Sequence, residues 1–442
     1  MSHDKKAGTK EGTRSIEASL ISILVGLTAG ALVILIVGLT SPALGIKSAW
    51  DAIRLVFAGI FNVGRDASGA LIFGFNATNI GNMLFRATPI IMTGLSVAIA
   101  YKTGLFNIGA PGQYLAGTAA SLFIALKMPT GIGKLAEYQI SNGMEITVTY
   151  PVWIVWLLAM IGGMLAGALW GAIPGILKAL LNINEVLACI MTNWIAANLV
   201  TWVFDESNLK NVIENTKSAY IYKTSYNGIE TSKFGLDKLF PGSQVNGGII
   251  IAAILCIVMY IIMSKTTIGY ELKACGSNRY AARYAGIRDK RNIVLSMAIA
   301  GALAGAGAAL YYLSGNTEFY WNTYQSLPAT GFNGIPVALL ASCHPVGTIF
   351  AGLFMSFLNV NGLQLTNLTA YNEYITDVII SVIVYLSAFS MAIKLWLNQR
   401  KKKNDNLQSN ANAEPDSKPA DSGKKMTSGL TDGVKGKESV QE

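Results

Sequence analysis

Within the apolar runs of this sequence, few side chains can bond a polar solute. Asn107 and Gln113 lie in GLFNIGAPGQYLAGT, residues 104–118, between two strongly apolar segments. The same stretch carries Gly104, Gly109, Pro111, Gly112 and Gly117. Asn193 and Asn198 fall within a further apolar run, and Asn333 stands beside Gly334 and Pro336. Amides donate and accept, so each is a candidate contact for a polar solute. Phe106, Trp194 and Phe332 offer faces on which a ring could stack. Every one has a structural alternative: polar groups in spans usually bond neighbouring helices, and aromatics there usually pack. Glu373 and Asp377, one helical turn apart near the outer end of the last span, could form a proton site; a solvated helix start is the plainer reading.

Catalytic chemistry is poorly supplied. The only histidines are His3 and His344, which argues against a histidine metal site. No GxxxxGK[ST] occurs, because residues 131–134 and 435–437 are too short and lack a strand-to-helix setting; the chain holds no Walker site for ATP. A nucleophile elbow and an HExxH are missing too, so no enzyme activity and no cofactor are expected. Cys189, Cys256, Cys275 and Cys343 form no CxxC pair and read as reduced packing thiols. Transport or scaffolding remains.

The elements that must position these residues are membrane spans. Of 442 residues, 52% are hydrophobic and 13% charged, against a usual charged share of roughly 25%. Runs of about 20 apolar residues recur, each long enough to cross. Spans are expected over 20–39, 82–100, 104–126, 152–173, 186–204, 247–263, 293–313, 327–342, 346–360 and 374–396. The fold is therefore read as an all-α polytopic membrane protein of about ten transmembrane helices. Residues 327–342 are short for a crossing and could re-enter, whereas 50–61 read as an interfacial amphipathic helix. Gly163, Gly167, Gly171 and Gly175 recur every fourth residue, a stripe suited to close helix packing. The first apolar run lacks a cleavage site, so it is not read as a signal peptide.

Charge orients the chain. Loop 205–246 carries five lysines against five acids and is expected outside. Loop 264–292 carries Lys265, Lys273, Arg279, Arg283, Arg288, Lys290 and Arg291 against only Glu271 and Asp289, which places it in the cytoplasm. Polar, basic segments 1–17 and 398–442 are expected as disordered cytoplasmic tails around a membrane domain of 18–397. An even span count agrees with two cytoplasmic termini. The net charge of +9 follows from this flanking, so membrane lipid is an expected partner and nucleic acid is not.

Inside that basic loop, residues 268–292 read IGYELKACGSNRYAARYAGIRDKRN. A helix over 270–275 is expected, then a break with Ser277 and Asn278 as N-cap types, then a second helix stopped at Gly286. Ala281, Ala282 and Ala285 would lie on its surface, small enough for a partner's groove. A plain basic loop is the alternative.

Four motifs carry a resemblance. Gly276, Asn278, Ala281, Ala282, Gly286 and Ile287 spell GxNxxAAxxxGI, which resembles the coupling loop of ABC importer permeases. GLFNIG followed by GQ, NEVLACIMTNWIA over 184–196, and GFNGIPVALL from Gly331 with Pro345 resemble the simple-sugar and nucleoside branch of that superfamily, related to branched-chain amino acid permeases. The matches follow the family's order over roughly 20–396. The likeness is greatest to the larger permease subunit of bacterial nucleoside importers served by a BMP-type lipoprotein. Two positions depart: Pro111 stands where members often have an acid, and Pro336 where they have Ala.

The resemblance implies a multi-pass permease of a bacterial plasma membrane that takes up nucleosides or ribose-like sugars. Implied partners are an ABC ATPase subunit, a double-cassette one, a second homologous permease and an extracellular binding lipoprotein. Phe106, Asn107, Gln113, Asn193, Trp194, Asn198, Phe332 and Asn333 become candidates for the solute path. Gly276, Asn278, Arg279, Ala281, Ala282, Arg283, Gly286 and Ile287 become candidates for ATPase coupling. Charge reversal at Arg279 or Arg283, or bulk at Ala282, is expected to abolish uptake without lowering membrane abundance. An ion-coupled secondary transporter using Glu373 and Asp377 is the alternative from another class.

Overall fold

In chain order the helices are α1 (Ser2–Thr40), α2 (Ile46–Ala58), α3 (Ala77–Lys102), α4 (Ala110–Lys127), α5 (Val152–Leu181), α6 (Glu185–Asp205) and the single turn α7 (Leu236–Leu239). Then come α8 (Gly248–Lys265), α9 (Thr267–Ser277), α10 (Arg279–Tyr284), α11 (Asp289–Tyr312), α12 (Ala329–Leu340), α13 (Gly347–Leu368) and α14 (Tyr374–Ala388). This is a computed structural model, and it describes residues 2–40, 45–128, 150–207, 217, 229–321, 327–372 and 374–388. All of these belong to one unit, residues 1–394; the expected tail 398–442, most of the loop 127–150 and Glu373 lie outside the described residues.

Among the described residues, seven helices are long and apolar enough to cross a membrane: the apolar part of α1, then α3, α5, α6, α8, α11 and α13. Burial sorts them. In their apolar windows 83% of α3 and 72% of α11 is buried, against 22% of α1 and 28% of α5 and of α8. Apolar helices that keep most of their surface outward are those a lipid solvent would cover. So α3 and α11 form the centre and α1, α5 and α8 the periphery.

The glycine stripe explains the tightest packing. Gly163, Gly167 and Gly171 of α5 lie against Gly301, Gly305 and Met297 of α11, so closely that a methyl at Gly167 would collide with the Gly301 carbonyl oxygen. Without side chains between them the two backbones come into direct contact, the arrangement small residues permit in lipid. Gly26 and Gly30 of α1 seat Ile383 and Ile379 of α14 in the same way. All four cysteines are buried and free.

The expected apolar hairpin is present as α12 and α13. It turns through Ser342 and Cys343, both at positive φ (48° and 55°), with the Cys343 N–H donating to the Ala338 carbonyl at 2.7 Å. Twelve residues make α12 roughly 18 Å long, short of the ~30 Å hydrocarbon core.

Two expectations need correction. The fold is not wholly α: Asn62–Arg65 (β1) and Leu71–Phe73 (β2) pair antiparallel, Asn62 opposite Phe73. Their turn is built by the Asp66 carboxylate, which accepts from the N–H groups of Ser68 (2.9 Å) and Ala70 (2.8 Å), with Gly69 at φ +80°. And α1 begins at Ser2, within the segment 1–17 expected to be unstructured. Lys, Glu and Ala there are good helix formers and continue a helix that the span has already nucleated. The expected interfacial helix is α2, which buries Ala49, Ala52, Leu55 and Val56 and leaves Trp50 outward.

Candidate functional site

The break between α3 and α4 begins at Gly104, whose φ of +74° suits glycine alone. Here the amide residues meet. Asn107 donates to Gln113 Oε1 at 2.8 Å and to Ser96 Oγ at 3.2 Å, while Gln113 donates back to Asn107 Oδ1 at 3.0 Å. Asn193 of α6 accepts from the Gly112 N–H at 2.9 Å and donates to the Ile108 carbonyl at 3.0 Å. All three amides are at most 1% exposed and have their donors and acceptors occupied. A satisfied network of this kind rigidifies what it joins. It braces the irregular backbone to α3, α4 and α6. Phe106 is half-buried beside it.

Trp194 and Asn198 do not join this network. Both lie on the outward face of α6, Asn198 donating to the Trp194 carbonyl at 2.8 Å. Phe332 also points outward from α12, 37% exposed. Pro111, near the start of α4, abuts the backbone of Gly331, where an added Cβ would stand 2.5 Å from the Pro111 Cα.

Gly331 leads to a cavity. Thr330 and Asn333, on either side of it in α12, line a space of about 290 Å³ with Arg86 of α3, Tyr311 of α11, Asn359 of α13 and Asp377 of α14. The Tyr311 ring stacks on Phe85, centroids 5.2 Å apart. Thr376, also on the wall, has a buried hydroxyl without a hydrogen-bond partner among the described residues. Of the residues proposed from sequence for the solute path, only Asn333 lies here. Arg86, Tyr311, Thr330, Asn359 and Thr376 were missed. A signal existed for Arg86: an arginine within the span 82–100 marks a pathway by default.

At the other end, the basic loop folds as α9 and α10. Asn278 caps α10 by accepting from the Ala281 N–H at 3.0 Å, and Gly286 at φ +81° closes the helix. Arg279, Ala282 and Arg283 share one face, as residues three and four apart must. Ala282 is turned inward, Arg279 is half-buried and Arg283 is exposed. Arg279 Nε and an Arg283 guanidinium nitrogen both reach Asp289 Oδ2, at 2.7 and 2.8 Å, and Ala282 is 4% exposed. The expectation that Ala282 presents itself to a partner is therefore corrected. Ala281 and Ala285 are exposed as expected, beside Tyr280 and Tyr284, 74% and 94% exposed. Asn292 and Arg291 of α11 donate to Glu271 at 3.0 Å each, and the Asn292 bond holds that carboxyl below the usual carboxylate range.

Loop and break touch. A Cβ on Gly276 would lie 2.7 Å from the Lys102 carbonyl oxygen and 2.8 Å from the Gly104 nitrogen, so only glycine fits between α9 and the end of α3. Thr103, next to this contact, shares a short hydrogen bond with Ser296 of α11.

The sequence that builds this arrangement has counterparts among known proteins. The sequence model for the permease component of branched-chain amino acid transport systems matches residues 79–388. The chain belongs to this permease family. The guanosine ABC transporter permease NupP of Bacillus subtilis is 33% identical over 389 residues, 88% of this chain and 97% of the relative. The nucleoside ABC transporter permease NupB of Lactococcus lactis is 34% identical over 392 residues, 88% and 95% of the two chains. A glucose ABC transporter permease of Haloferax volcanii, TsgB13, is 28% identical over 306 residues, 67% of this chain and 73% of the relative. The permease is an integral protein of the cell membrane and no enzyme. It works in an ABC system with ATPase and substrate-binding partners. That assignment displaces the ion-coupled alternative.

Proposed function

We propose that this permease carries nucleosides inward for an ATP-driven importer. The observation that carries the reading is the likeness, over nearly nine-tenths of the chain, to permeases of guanosine and of nucleosides. Seven long spans with α4, α12 and α14 make ten crossings or part-crossings, both termini in the cytoplasm. A double-cassette ATPase, a second homologous permease and a BMP-type lipoprotein complete the assembly.

In this account Tyr280, Tyr284 and Ala281 face the ATPase, while Arg279 and Arg283 hold the loop's shape through Asp289. Motion of the loop enters the α3–α4 break where Gly276 meets Gly104. The brace of Asn107, Gln113 and Asn193 keeps the break rigid, so that α4 moves with it. Pro111 then bears on Gly331, beside the cavity residues Thr330 and Asn333. Contiguity of this kind supports a route without measuring coupling along it. The cavity is small, with scattered polar groups, and suits a solute whose affinity is supplied by an external binding protein. Alternating access follows from rocking of helices around it.

Cells deleted for this permease should lose uptake of labelled guanosine and recover it from a plasmid copy. Undiminished uptake of guanosine, adenosine and uridine in the deletion strain would contradict the reading.

A further inference from the structure

The cavity wall holds one cation and one anion, Arg86 from α3 and Asp377 from α14. Neither forms an ion pair within 4 Å among the described residues, so the two charges do not close on each other across the space. A carboxylate only accepts hydrogen bonds, and a guanidinium only donates them in a planar fork. A neutral solute that pairs bidentately with both offers two adjacent donors on one edge and two adjacent acceptors on another.

Among nucleobases, guanine does so. Its N1–H and N2–H lie side by side for a carboxylate, and its O6 and N7 lie side by side for an arginine fork. Adenine sets its one amino donor between ring acceptors. Uracil has a single N–H flanked by two carbonyls. Tyr311, fixed against Phe85, supplies an aromatic face on the same wall, and Asn333, Asn359 and the unpartnered Thr376 hydroxyl supply groups for sugar hydroxyls. We infer that Arg86 and Asp377 select a guanine base in this cavity, Asp377 accepting from N1–H and N2–H and Arg86 donating to O6 and N7. This rests on the nucleoside reading above and adds to it the base and the two residues that read it.

The test uses the purified permease–ATPase complex without its binding protein, so that only the cavity discriminates. Thermal midpoints are measured with guanosine, adenosine or uridine, each at several concentrations. Guanosine should bind about tenfold more tightly than the other two, as one bidentate pair discriminates. Asp377→Asn and Arg86→Gln should each abolish that preference, whatever happens to the midpoint without ligand. Equal affinities in the unaltered complex, or a guanosine preference retained in both variants, would overturn the inference. So would stabilisation by no nucleoside at all; in that case loss of nucleoside uptake in the deletion strain would still stand for the broader reading.

Discussion

Ala282 and Tyr284 stand two positions apart on α10, yet one is buried and the other almost fully exposed. Loop 276–287 thus has a buried side that holds it together and an exposed side that the proposal turns toward the ATPase. Tyr284→Ala should lower ATP-driven uptake at least tenfold while leaving the permease's thermal midpoint unchanged, since exposed substitutions usually shift stability by no more than about 0.5 kcal/mol. Ala282→Leu should instead destabilise the permease by about 1–3 kcal/mol through overpacking, read as reduced abundance and a lower midpoint. Equal midpoints for the two variants would refute the division. Sequence alone exposed the motif but not its inward side, because Asp289, which anchors Arg279 and Arg283, looked like a minor acid in a basic loop. Asn107 and Gln113 were legible as polar groups in an apolar setting. Their use as a brace was not, since Asn193 reaches the Gly112 N–H of the same break from 81 positions away in the chain.

At the scale of elements, close backbone contact recurs along the proposed route. Gly276 against Gly104 joins α9 to the α3–α4 break, and Gly331 against Pro111 joins α4 to α12. Gly276→Val should therefore separate ATP hydrolysis from transport. In a reconstituted complex, hydrolysis should persist while guanosine uptake falls at least tenfold, and unaltered uptake per ATP would exclude this contact as the transmitting one. Helices were easy to foresee because lipid demands long apolar runs with internal hydrogen bonds. The glycine stripe of α5 was visible too, though its partner α11 was not, because spacing reveals a face without naming what lies against it. The hairpin of β1 and β2 escaped notice: its strands are three or four residues long and its turn depends on Asp66 and Gly69.

For the whole molecule, burial places α3 and α11 at the centre, and the cavity opens beside both. In the proposed account the broken stretch 104–118 is the rigid link between the basic loop 264–292 and that cavity. Its amides spend their bonds on holding shape, and the proposal assigns solute contact to Arg86, Asn333, Asn359 and Asp377 on the cavity wall. The most direct measurement is uptake of labelled guanosine by proteoliposomes containing this permease with its partner permease, ATPase and binding protein. Accumulation should require ATP and vanish when the ATPase is hydrolysis-deficient. Accumulation driven by a proton gradient, and indifferent to the ATPase variant, would contradict the account.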